Sequence, residues 1–130
     1  MQFLKRKSVI ALCACLVLVQ SCRKQGESLP DLTLTREVSP QPPRVGPVTI
    51  TLKATTAAGP LTGARIMLEG NMSHAGMSPV FAEATEIAPG HYRAIIQLSM
   101  AGDWIVQVHL SLPDGLKLDR QFEIKGVASA

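Results

Sequence analysis

"HYRAIIQLSMAGDWIVQVHL", residues 91–110, decides how the chain reads. Its first half puts Tyr92, Ala94, Ile96 and Leu98 on one side of an extended backbone. Its second half puts Trp104, Val106, Val108 and Leu110 on one side. Successive strand side chains point to opposite faces, so a period of two marks a strand with one buried face. The same period extends outward in both directions. Upstream, "VTITLKAT" aligns Val48, Ile50, Leu52 and Ala54, and "ARIMLEG" aligns Ala64, Ile66 and Leu68 against Arg65, Met67 and Glu69. "LTLTREV" from Leu32 and "VFAEATEIA" from Val80 are shorter versions. Downstream, "LKLDRQFEI" points Leu116, Leu118, Phe122 and Ile124 inward. Arg120 breaks that row, which suggests a bulge.

Turn residues punctuate these runs. "SPQPPRVGP" at 39–47, "AAGPLTG" at 57–63, Pro89-Gly90 and Pro113-Asp114-Gly115 leave no room for helix. Seven short strands at this spacing predict an all-β fold: an immunoglobulin-like antiparallel β-sandwich. A small closed barrel is the alternative. Trp104 is the large apolar anchor expected between the sheets.

The first 22 residues are of another kind. Lys5, Arg6 and Lys7 precede "SVIALCACLVLV", Ser8 to Val19, which carries no charge. A basic head and a short apolar run describe a secretory signal peptide, with its helical segment; a membrane span needs about 20 apolar residues. "VQSC", Val19 to Cys22, is similar to a bacterial lipobox. That similarity implies cleavage after Ser21 and a lipid on Cys22. An ordinary secreted protein cut nearby is the alternative. The expected organisation is a signal peptide at 1–21, a polar tether at 22–31, one domain at 32–126 and a tail at 127–130.

Processing alters the electrostatics. The chain has 13 Lys+Arg and 10 Asp+Glu. Residues 1–21 hold three of those bases and no acid, so ten bases face ten acids afterwards. A nucleic-acid partner loses its support. On the lipobox reading Cys13 and Cys15 would leave with the signal and Cys22 would carry lipid, so no free thiol would remain for a disulfide, a zinc site or a nucleophile.

Three longer stretches carry a family resemblance. They are "PPRVGPVTITLKA", "GPLTGARIMLEGNMSHAGM" and "APGHYRAIIQLSMAGDWIVQVHL". Their turns and the Met-containing loop, in this order, resemble the YtkA-like domain over roughly residues 40–125. The resemblance implies a small β-sandwich module of bacterial membrane-attached or periplasmic proteins. Some members occur near copper handling, oxidase assembly and metal efflux.

The chemistry-bearing candidate is "GNMSHAGM", residues 70–77. Thioether sulfur suits Cu(I), and imidazole suits copper as well. Met72, His74 and Met77 lie within six residues, between Gly70 and Gly76. Met100 and the outward-facing His109 are further donors; Met67 and His91 are others. Methionine also fills irregular gaps at the end of a core, so packing alone is the competing reading. Hydrolytic chemistry has no support: there is no nucleophile-elbow pattern and no phosphate loop. Glu83 and Glu86 read as a solvated face. The expected function is a lipid-anchored, exported, non-enzymatic module that binds copper through this loop. The alternative is an accessory domain that docks on a membrane protein complex. The lipobox reading predicts that protein recovered from the membrane fraction begins at Cys22 and carries diacylglycerol. Intact mass spectrometry checks this, and an unmodified N-terminus at another residue contradicts it.

Overall fold

The computed structural model describes residues 31–74 and 76–130. The expected signal peptide, Cys22 and all of the tether but Asp31 lie outside them. Every element among the described residues is a strand: β1 (Thr33–Ser39), β2 (Gly46–Thr56), β3 (Gly59–Pro60), β4 (Arg65–Met72), β5 (Val80–Ala88), β6 (His91–Leu98), β7 (Gly102–Ser111) and β8 (Lys117–Val127). No helix among the described residues is long and apolar enough to cross a membrane.

Neighbouring strands run in the order β1-β2-β6-β5-β4-β7-β8, and β3 adds a two-residue pairing to β2. All the strand pairs are antiparallel. β5 belongs to two faces. Its residues 80–84 pair with β4, and Thr85, Glu86 and Ala88 pair with β6 across a register shift. The sheet therefore folds over at β5. Leaving β3 aside, β1-β2-β6-β5 faces β4-β7-β8, the strand order of the seven-stranded immunoglobulin sandwich. β1 and β8 remain unpaired with each other along their length. Among the described residues only Arg44 and Ala128 bridge the edges, in parallel, so the sheet does not close as a barrel.

The core follows the sequence period. Val48, Ile50, Leu52 and Ala54 of β2 are buried, as are Tyr92, Ala94, Ile96 and Leu98 of β6. Ile66, Leu68 and Met72 of β4 and Trp104, Val106, Val108 and Leu110 of β7 face them. Trp104 is fully buried, and its indole N–H donates to the Met100 carbonyl at 2.9 Å. Gly70 continues the inward row of β4. A Cβ there would lie 3.0 Å from Ile96 Cδ1 and 3.4 Å from Trp104 Cε3, so the two sheets touch where a side chain is missing.

Three details differ from the expectation. Arg120 is not at a bulge. It pairs in register with Val108, and the only shift in that ladder lies between Gly102 and Trp104. Its guanidinium thus projects along the inward row, at the open edge where solvent still reaches it. The domain also runs past residue 126: Val127 is buried, and the Ala128 N–H donates to Pro43 O at 2.9 Å. Glu86 is more than a solvated carboxylate, because it accepts from the N–H groups of Gly63 and Gly90 at 3.0 and 3.2 Å.

The Pro89-Gly90 turn is held tightly. Gly90 has φ +75°, and a Cβ there would sit 2.8 Å from both Ala54 O and Pro60 Cβ. Gly90→Ala is expected to cost about 2 kcal/mol or more from backbone strain and overpacking. Gly115→Ala, at φ +91° with nothing within 4 Å, separates the two causes and should cost less. Urea denaturation of both variants checks this.

Candidate functional site

β4 and β5 form a hairpin whose last ladder pair is Gly70 with Val80. Met72 ends β4 opposite Trp104 and is 8% exposed. Its methyl packs on Gly102, where an added Cβ would lie 3.2 Å from Met72 Cε. The chain then turns outward, and the Ser73 N–H donates to Asp103 O at 3.3 Å. His74 is exposed. Met77 is 40% exposed. Met100, in the connection from β6 to β7, is 43% exposed and lies at the same end of the sandwich, since its carbonyl holds the Trp104 indole. The structure thus brings Met72, His74, Met77 and Met100 to one end. Met72 is the base of the loop and belongs to the core; the other three present donors to solvent.

His109 is not part of this group. It stands five residues along β7 from Trp104, roughly 16 Å at the usual strand rise. Both of its ring nitrogens are engaged: Nε2 lies 2.9 Å from Glu69 Oε2 on β4, and Nδ1 lies 2.6 Å from Asp119 Oδ1 on β8. Two carboxylates on opposite sides of the ring favour the doubly protonated imidazolium, which donates to each. The bond to Glu69, and then that to Asp119, raises the His109 pKa above its ordinary 6.5 against a smaller opposing effect of burial. The clamp spans three adjacent strands of one sheet. Sequence alternation showed His109 facing outward, but the partners are far away in the chain and carried no signal.

Other polar groups tie down the far end. The buried Tyr92 hydroxyl donates to Leu61 O at 2.7 Å and accepts from the Ala64 N–H at 3.2 Å. Burial raises this phenol above its ordinary 10.0. Among the described residues, no three His, Cys, Asp or Glu side chains converge on a metal position. Met67, half-buried beside His109 on the β4–β7 ladder, and His91, half-buried at the start of β6, stand apart from the loop end, where the other thioethers and an imidazole gather.

Fold and geometry together define a small immunoglobulin-like β-sandwich with Met72, His74, Met77 and Met100 at one end. The model of the YtkA-like family matches residues 31–109. This is more than half of the chain, which belongs to the YtkA-like family. No curated protein matches the chain. Among solved structures, the murine protein CRIg is similar at 15% identity and a TM-score of 0.41, over 75% of this chain and 98% of that one.

The clamp makes stability depend on pH. A histidine whose folded pKa is raised stabilises the fold fully below its unfolded value, near 6.5. The contribution is lost as pH rises through the raised folded value. His109→Gln should therefore lower the melting temperature in mildly acidic buffer and have a smaller effect in alkaline buffer. Thermal melts of both proteins across the range from pH about 5 to about 9 check the sign.

Proposed function

We propose that the chain is an exported, non-enzymatic module, held at a bacterial membrane by a lipid on Cys22, that binds Cu(I) at the loop end of its sandwich. One observation carries the reading. His74, Met77 and Met100 stand exposed at one end of a domain with no cysteine among its described residues. Neither Met77 nor Met100 belongs to the buried core, and soft sulfur with imidazole is a donor set for Cu(I). The residues that would hold the ion are His74, Met77 and Met72, with Met100 beside them. Met72 would bring a sulfur bonded to the methyl that packs on Gly102. A thiol-free site also suits an oxidising compartment, where thiolate ligands are at risk. Bound copper would supply a transferable soft cation, as copper handling or oxidase assembly requires.

A second reading has its own observation. Phe81, Ile87 and Ile95 are 61%, 47% and 58% exposed on β5 and β6. Such residues favour an accessory domain that docks on a membrane complex without metal.

Copper titration separates the two. The purified protein should take up a single Cu(I) in competition with a chromogenic chelator. Met72→Leu, His74→Ala and Met77→Leu should each weaken it, and the triple variant should lose it. Circular dichroism confirms that each variant is folded. If the folded triple variant holds Cu(I) as tightly as the wild type, the copper reading is wrong and the docking reading stands.

A further inference from the structure

The open edge between β1 and β8 breaks the apolar pattern twice, in the same place. The inward row of β1, with Leu32 just before it, continues through Leu34, Arg36 and Val38; that of β8 is Leu118, Arg120, Phe122 and Ile124. Each edge strand thus has one arginine where alternation demands an apolar side chain. Both arginines line one pocket of about 240 Å³, whose apolar wall is made by Leu32, Leu34, Leu52 and Phe122. The Arg36 guanidinium lies over the Phe122 ring, 4.6 Å from its centroid. Arg120 donates through Nη1 to the Asp119 carbonyl at 3.0 Å.

The charges in this pocket are not balanced. No acid lines it. Among the described residues neither guanidinium forms an ion pair. The acids next to them in sequence, Glu37 and Asp119, lie on the other face of the sheet by alternation, and Asp119 is bound to His109 at 2.6 Å. Two like charges lining one partly apolar pocket repel each other, and an anion between them removes that cost. Guanidinium also presents a planar fork that matches a carboxylate. The contact with the Phe122 ring restrains one such fork, and the bond to the backbone restrains the other.

We propose that this seam is a binding site for a small carboxylate with a short apolar tail. The carboxylate would sit between Arg36 and Arg120, and the tail would lie along Leu34, Leu52 and Phe122. The site is separate from the methionine loop and does not depend on metal.

Hexanoate is a suitable probe, added at constant ionic strength to isotopically labelled protein and followed by amide chemical shifts. Saturable shifts confined to Leu34–Arg36 and Arg120–Phe122 are expected. Hexanamide, with the same tail and no charge, should produce no saturable shifts there. Acetate, with the charge and almost no tail, should bind more weakly. Arg36→Gln and Arg120→Gln, both on solvent-accessible edge strands, should each weaken hexanoate about tenfold, the loss of one charge-assisted hydrogen bond. The proposal is overturned if hexanoate produces no saturable shifts at the seam or if hexanamide binds as well. It is equally overturned if acetate matches hexanoate, or if both folded variants retain the wild-type affinity. The comparison of probes on the wild-type protein stands even where a variant is unstable.

Discussion

The two sheets meet across a position that has no side chain. At Gly70, Ile96 reaches over from the opposite sheet and Trp104 leans in from the neighbouring strand, with almost no space for a Cβ between them. Interiors are packed to near-crystalline density, so this contact fixes how closely the sheets approach. Trp104 is held there by packing and by its indole bond to Met100 O. The rest of the inward rows fall into register from this point, two residues at a time. Met72 is the next inward residue of β4 after Gly70 and opposes Trp104 across the ladder. The loop that carries His74 and Met77 therefore starts from the tightest part of the core.

The division of β5 between two sheets has a similar reach. Antiparallel sheets bury one face and leave the other to solvent. A strand that changes partner midway leaves part of each edge open and exposes Phe81 and Ile87 on its outer side. The irregular register at Glu86 has a purpose within the fold. It places that carboxylate where it ties Gly63 and Gly90, beside the Tyr92 hydroxyl that ties Leu61 and Ala64. One end of the sandwich is thus cross-linked by polar groups. The methionine loop projects from the other.

Much of this could be read in the sequence because burial on one face leaves a period-two imprint. The apolar rows of residues 48–54, 92–98 and 104–110 are the core, and Trp104 is its anchor. What could not be read involves partners distant in the chain. The imidazole of His109 joins Glu69, 40 residues away, and no spacing rule encodes that pair. Arg120 resembles an error in the pattern only while β8 is considered alone. Beside Arg36 on β1 it becomes half of a charged pair across an open seam. Val127 was hidden for another reason: a single apolar residue after Gly126 has no alternation to mark it. The loop methionines were visible, but their unequal burial was not, because loop composition says nothing about which side chain turns back into the core.

That inequality bears on how the proposed copper site would work. His74 and Met77 are free to rearrange around an ion at little cost, since neither is packed in the core. Met72 is different, because its methyl fills the space against Gly102. A sulfur that turns toward an ion takes that methyl with it and opens a gap at the end of the core, and such gaps cost energy in proportion to their size. Affinity for the ion and packing of the sandwich end are then coupled through one side chain. A carrier that must release its cargo gains from such coupling, because the core restores its own packing when the ion leaves. A permanent structural site would instead place all its ligands where the empty and occupied forms pack equally well. The buried thioether at the base of an exposed loop thus favours a site that exchanges its ion over one that keeps it.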